Sequence, residues 1–93
     1  MYIIGVYDIC TSDEKGQARV VKIMKIFRKY LHHTQKSVFE GELSEAKFKS
    51  LIIETTKIIN NSEDYLIFYR IDNKNNCKRE CFGKDNERIN TII

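Results

Sequence analysis

MYIIGVYDI, residues 1–9, is the stretch whose reading decides the fold. Six of its first seven residues are apolar or aromatic, the seventh is Gly5, and Asp8 is the first charged side chain. A short, nearly continuous run rich in β-branched and aromatic residues reads as a central, buried strand. Asp8 then stands at the carboxyl end of that strand, on the rim of the sheet. Burying an unpaired carboxylate is costly, so it must meet a cation, a donor or water. From this stretch alone the ordinary role is a side chain that caps the next turn.

Outward from the strand, Cys10–Gly16 (CTSDEKG) is a polar connection in which Thr11, Ser12 and Asp13 are all suitable helix N-caps. A helix is expected over 15–30. On a helical wheel Val20, Ile23, Met24, Phe27, Tyr30 and Leu31 are read onto one face, and Lys15, Arg19, Lys22, Lys25 and Lys29 onto the opposite one. Residues 31–43 (LHHTQKSVFEGEL) switch to a period near two, which predicts two short extended pieces or one kinked strand, with Gly41 relieving the backbone. His32 and His33 are adjacent, and neighbouring strand residues point to opposite faces, so they do not easily share a metal.

The second helix is announced by Ser44 as N-cap, Glu45 in its first turn, and Leu43 with Phe48 at the two positions of a hydrophobic staple. Phe48, Leu51, Ile52, Thr55, Ile58 and Ile59 form its inward stripe, and Asn60 and Asn61 end it. DYLIFYRI, residues 64–71, is the next strand, followed by the turn-forming DNKNN, residues 72–76. Beyond it, 78–82 can be extended and 89–93 (INTII) is a short apolar tail.

Ninety-three residues make a single domain, 1–93, without room for a second core. No apolar run approaches the length of a membrane span, and the start lacks the basic leader of a signal peptide, so a cytoplasmic protein with no membrane partner is expected. Three cysteines, an odd number, do not make a disulfide framework, and Cys77 and Cys81 have no second pair to complete a zinc set. The net charge of +3 arises wholly in residues 1–30, which carry six basic and three acidic groups. A basic stripe on a rigid helix matches the regular charge of a nucleic-acid backbone. No amide or aromatic residue is interleaved on that face, so base-specific readout is not indicated.

The element order is strand, helix, strand or hairpin, helix, strand. Two amphipathic helices covering one face of one sheet make a two-layer α+β sandwich, and the ferredoxin-like βαββαβ arrangement fits that order. Tyr2, Ile3, Ile4, Val6, Tyr7, Leu66, Ile67, Phe68 and Tyr69 cannot all face the helices. The surplus apolar face predicts a homodimer through the open side of the sheet.

YDI at 7–9, closing an apolar first strand, is followed about thirty residues on by QKSVFEGEL at 35–43. With the Gly16-Gln17 helix start and DYLIFYRI, this resembles the small CRISPR-associated "Cas-two" family over roughly residues 1–71. The resemblance implies a ferredoxin-fold homodimer with an extra C-terminal strand, here about 77–93, reaching the partner sheet. It implies a DNA-binding partner of the CRISPR integrase, "Cas-one", in spacer acquisition during antiviral defence. Several members are also described as metal-dependent nucleases on single-stranded RNA or double-stranded DNA. The family's metal-site aspartate corresponds to Asp8, one from each protomer. Of the family's paired arginines at the first helix start, Arg19 matches one, with Ala18 beside it and Lys15 a turn earlier.

A single Asp8 is a poor magnesium site, because magnesium asks for six oxygens. Two Asp8 side chains across a two-fold axis, with water and a phosphate oxygen, supply more of them, and a magnesium there would polarise a phosphodiester; with no general base evident in the sequence, this is a thin active site that agrees better with weak nuclease activity, or none, than with a fast enzyme. Lys15, Arg19, Lys22, Lys29 and Lys36 are the candidate nucleic-acid-binding residues. Two functions therefore stand side by side: a magnesium-dependent endonuclease (endoribonuclease or DNase) with Asp8 as its catalytic ligand, and a non-catalytic DNA-bridging scaffold in which Asp8 is structural.

Overall fold

The computed structural model describes residues 1–83. The elements follow in the order β1 (Tyr2–Asp8), α1 (Glu14–Tyr30), β2 (His32–Gln35), β3 (Val38–Glu42), α2 (Glu45–Thr56) and β4 (Tyr65–Ile71), with a 3-10 turn at Lys74–Asn76. The four strands form one antiparallel sheet in the order β2-β3-β1-β4. This is the ferredoxin-like sandwich expected from the element order, with β1 central. The period-two segment after α1 resolves into two strands, joined at a left-handed Lys36 with φ 41.

Both helices begin where their caps predict. The Asp13 carboxylate accepts the Gly16 amide at 2.8 Å, and the Ser44 hydroxyl accepts the Lys47 amide at 3.2 Å. The staple residues Leu43 and Phe48 are both buried. α2 stops at Thr56, so Ile58 and Ile59 pack against the core from the following turn and not from a helix.

Alternation along β1 turns Ile3, Gly5, Tyr7 and Ile9 towards the helices, where they are buried, and leaves Asp8 exposed. Phe27 of α1 fills the centre of the core. Its ring meets Tyr7 and Phe39 edge-on, each at 5.3 Å, and stacks on Phe68 at 5.7 Å. Gly5 makes room for this cluster: a Cβ there would sit 2.9 Å from the Phe27 ring and 3.1 Å from Phe68. Gly16 has a stricter reason to be glycine, since its Cβ would lie 1.8 Å from the Cys10 carbonyl oxygen. The first turn of α1 thus closes directly onto the chain leaving β1.

The expected C-terminal strand is not formed within residues 77–83, which are irregular, and 84–93 lie outside the described residues. The three cysteines are free thiols, as expected. Among the described residues no helix is long and apolar enough to cross a membrane.

Candidate functional site

Asp8 ends β1 on the face of the sheet that the helices leave uncovered. Its register partner is Tyr65, the first residue of β4. Among the described residues Asp8 makes no hydrogen bond or ion pair, so its oxygens are open to ligands. Its neighbours in the YDI triplet are the opposite: Tyr7 and Ile9 are core residues, and burial pushes the Tyr7 hydroxyl's pKa up.

One residue before β4 stands a second carboxylate that the sequence reading passed over. Asp64 turns to the helix side, and its side chain is 0% exposed. It accepts four hydrogen bonds: from the Cys10 amide at 3.0 Å, the Asn60 amide at 2.8 Å, and Arg19 through Nε at 2.7 Å and Nη2 at 3.2 Å. The Arg19 fork, with the two amides, holds its pKa below the usual carboxylate range. Asp64 ties together the chain after β1, the first turns of α1 and the connection into β4, which are the segments around Asp8. The signal was legible: Asp64 has the same parity as Leu66 and Phe68, and a carboxylate at an inward strand position needs a partner.

Arg19 is accordingly not on the outer stripe, and this corrects the wheel. It lies four residues before Ile23 and eight before Phe27, both fully buried, so helical geometry carries it to the inward edge of α1. Its side chain is 14% exposed and is shared between Asp64 and Glu63. Lys15, Lys22 and Lys25 do stand exposed on α1 and, among the described residues, form no ion pair. Lys29 is exposed but pairs with Glu54, which also accepts from the Tyr30 hydroxyl. Lys36 is exposed in the β2–β3 turn.

Neither histidine reaches Asp8. His32 is in register with Glu40, which in turn faces Ile4, half a strand away from the Asp8 rim. His33 points to the other face and stacks on Phe39, with ring centroids 4.6 Å apart, as alternation requires. Its Nε2 meets the Lys36 carbonyl at 2.6 Å. Glu40 is a further buried carboxylate, on the open face. It accepts from the hydroxyls of Tyr2 and Thr34 and from Arg79, which brings the segment after β4 back onto the sheet.

Among the described residues no three His, Cys, Asp or Glu side chains gather into a metal-holding group. Among the described residues a single chain thus brings one exposed, unpaired carboxylate, Asp8, to the rim of β1. That fits magnesium only if a second copy adds its own.

The sequence profile described as "CRISPR associated protein Cas2" matches residues 1–79. The chain belongs to the Cas2 family. Among its relatives, "CRISPR-associated endoribonuclease Cas2 2" of Moorella thermoacetica is 48% identical over 69 residues, 74% of this chain and 76% of that protein. "CRISPR-associated endoribonuclease Cas2" of Fusobacterium nucleatum is 39% identical over 93 residues, 100% of this chain and 87% of that one. The folds agree: a solved Cas2 structure superimposes with a TM-score of 0.76 at 34% identity, covering 91% of this chain and 88% of its own. Streptococcus pyogenes Cas2 gives 0.74 at 26% identity, covering 88% and 100%. Within the family frame, Asp8 in the YDI triplet and QKSVFEGEL in the β2–β3 hairpin are neighbours in space, since β3 and β1 pair directly.

Proposed function

We propose that this Cas2 family member is a cytoplasmic, homodimeric nucleic-acid-binding protein of CRISPR adaptation. It works with the CRISPR integrase and hydrolyses phosphodiesters with magnesium at a site shared by two Asp8 side chains. The observation that carries the reading is Asp8 itself, an exposed carboxylate with no partner among the described residues, held at the end of the central strand by a fully hydrogen-bonded neighbouring frame.

The open sheet face supports the dimer. Tyr2, Ile4, Val6, Ile67, Tyr69 and Ile71 share it, and Tyr69 is 53% exposed. Apolar surface of this kind is the usual seat of self-association. A two-fold axis near the rim pairs Asp8 with its copy and doubles the oxygen ligands. A magnesium ion held there supplies Lewis-acid polarisation of the phosphodiester and a water of lowered pKa. The chain's own residues then have three tasks. Asp8 holds the ligand position, Lys15 and Lys36 neutralise backbone phosphates, and Asp64 keeps the β1 exit rigid.

A DNA-bridging scaffold is the second reading, and one observation favours it. Lys22 and Lys29 belong to the helix layer, whereas Asp8 lies on the opposite, uncovered face of the sheet. A duplex lying along α1 does not need Asp8. Cleavage of single-stranded RNA and of duplex DNA, with magnesium and with chelator, beside Asp8→Asn, tests the first reading. Loss of cleavage with unimpaired spacer acquisition supports a working scaffold with a separate nuclease. Reversing Lys22 and Lys29 to Glu should weaken duplex binding at every sequence and lower its salt slope by close to one unit per charge removed. Sedimentation at about twice the 11.0 kDa chain mass checks the dimer, and a monomer removes the two-Asp8 site.

A further inference from the structure

We propose that His33 is a positioning residue for Lys36: its ring holds the β2–β3 turn in the left-handed conformation from which the Lys36 ammonium meets a backbone phosphate. This rests on the reading of Lys36 as a phosphate contact and names the group that keeps that contact in place.

β2 and β3 are joined by two residues, Lys36 and Ser37. Among the described residues other than glycine, Lys36 alone has a positive φ, at 41. Hairpins of this length usually give such a position to glycine or asparagine, because a side chain there crowds the backbone. Lysine has neither the freedom of the one nor the local hydrogen bond of the other, so the turn has to be held from outside. The holder lies three residues earlier, where His33 Nε2 stands 2.6 Å from the Lys36 carbonyl oxygen. The β2–β3 register shifts between His33 and Gln35, and the ring reaches past that irregularity to the turn.

The two ring nitrogens are in opposite situations. A carbonyl only accepts, so Nε2 carries the hydrogen. Nδ1 is buried and, among the described residues, has no partner. A bare nitrogen tolerates that place better than an N–H, which would be shut away without an acceptor. Burial thus selects the tautomer that donates to Lys36. The ring is itself anchored: it stacks on Phe39, with centroids 4.6 Å apart, and Phe39 is fully buried against Phe27 and Tyr7. The core fixes the imidazole, and the imidazole fixes the carbonyl of Lys36. On the next residue, the Ser37 carbonyl accepts the Tyr7 amide at 3.2 Å, so both loop carbonyls are tied while the Lys36 side chain stays exposed. The same arrangement takes His33 out of any chemistry: with Nε2 engaged and Nδ1 enclosed, it offers neither a metal ligand nor a general base.

A backbone outlier maintained by a dedicated hydrogen bond, and carrying a free cation, points to a functional use of that cation. A lysine on a fixed turn gives up less conformational freedom on meeting a phosphate than one on a loose turn. The His33 hydrogen bond therefore contributes to binding only through Lys36.

The test is a double-mutant cycle on the full chain, read by the affinity of a short labelled DNA duplex over a salt series. Lys36→Gln should weaken binding and lower the salt slope by about 0.9. His33→Phe keeps a ring on Phe39 and deletes the donor. It should weaken binding about threefold when Lys36 is present and leave it unchanged in the Lys36→Gln background, since coupled residues are not additive. His33→Gln, which keeps a side-chain N–H, should bind like the parent. Ring-nitrogen NMR of the parent should show hydrogen on Nε2 and none on Nδ1. Hydrogen on Nδ1, or a loss in His33→Phe that is the same with and without Lys36, overturns the proposal. Should His33→Phe not fold, the ring signals and His33→Gln decide: weakened binding by a folded His33→Gln protein overturns it as well. A Lys36→Gln loss beside an unchanged His33→Phe sinks this inference alone. If Lys36→Gln binds like the parent, the phosphate reading of Lys36 falls with it.

Discussion

Asp8 ends β1 and Asp64 immediately precedes β4, the strand paired with it, yet the two carboxylates could hardly be treated more differently. Asp64 faces the helices, is shut off from water and receives four hydrogen bonds. Asp8 faces the open side of the sheet, is exposed, and has no partner among the described residues. The same functional group is a structural clamp in one place and an available ligand in the other. What separates them is strand parity together with the presence of Arg19, and neither follows from the carboxylate as such. The comparison also explains why the two belong together: a ligand held at a rim is useful only if the backbone beneath it does not move, and Asp64 holds the Cys10 amide two residues beyond Asp8.

The largest effect expected from this contrast is on cleavage. Asp8→Asn removes the ligand's charge and keeps its shape, so magnesium-dependent cleavage should drop to background while the melting temperature and dimer mass stay those of the parent. The stability change should be within about 0.5 kcal/mol, as for surface sites free of special contacts. Persistent cleavage by pure Asp8→Asn protein would erase the distinction on the functional side.

Asp64→Ala should act the other way round. It leaves two amides without their acceptor and a largely buried guanidinium without its carboxylate, and should cost about 3–5 kcal/mol in chemical denaturation. A variant that melts like the parent would mean the clamp is ornamental. The same ion pair has a pH signature. The folded-state pKa of Asp64 is depressed, chiefly by Arg19, so the unfolded chain binds the proton more readily. The stabilisation is therefore complete above the ordinary aspartate value near 3.9 and fades as pH falls through the folded value. The stability gap between the parent and Asp64→Asn should narrow below about pH 4. A gap that stays constant down to pH 2 contradicts the assignment.

Lys36→Gly gives the smallest and most discriminating change. Glycine relaxes the left-handed backbone but loosens the unfolded chain, so stability should stay within about 1 kcal/mol of the parent. Nucleic-acid binding should fall nonetheless. If stability falls sharply instead, the lysine side chain is structural and the rim loses its cation.

How much was legible beforehand depends on how far apart in the chain the deciding partners lie. The strand at 2–8 with Asp8 at its rim, the Ser44 cap, a cap for α1 among Thr11, Ser12 and Asp13, the Leu43–Phe48 staple and the extended character of 31–43 all rest on residues within four or five positions of each other. These follow from backbone periods of 2 and 3.6, which act locally and are readable from a linear string. The dimer expectation comes from the surplus apolar residues of the strands, and the Cas2 resemblance adds the expectation of a metal at Asp8.

Arg19 shows where linear reading stopped. Its angular position put it near Ile23, but its charge invited grouping with the surface lysines, and the partner that draws it inward is 45 residues away. The same holds for Gly5 and Gly16, whose missing side chains make sense only beside Phe27, Phe68 and the Cys10 carbonyl. Tyr65 likewise reads as one aromatic residue in an aromatic strand until the β1–β4 register sets it opposite Asp8. Local sequence thus settled which segments are strands and helices and which way their side chains alternate, because those depend on covalent geometry and near neighbours. Only the packed sheet decided which carboxylate is clamped and which is free, because a carboxylate's fate depends on the donors that tertiary contacts bring within hydrogen-bonding distance.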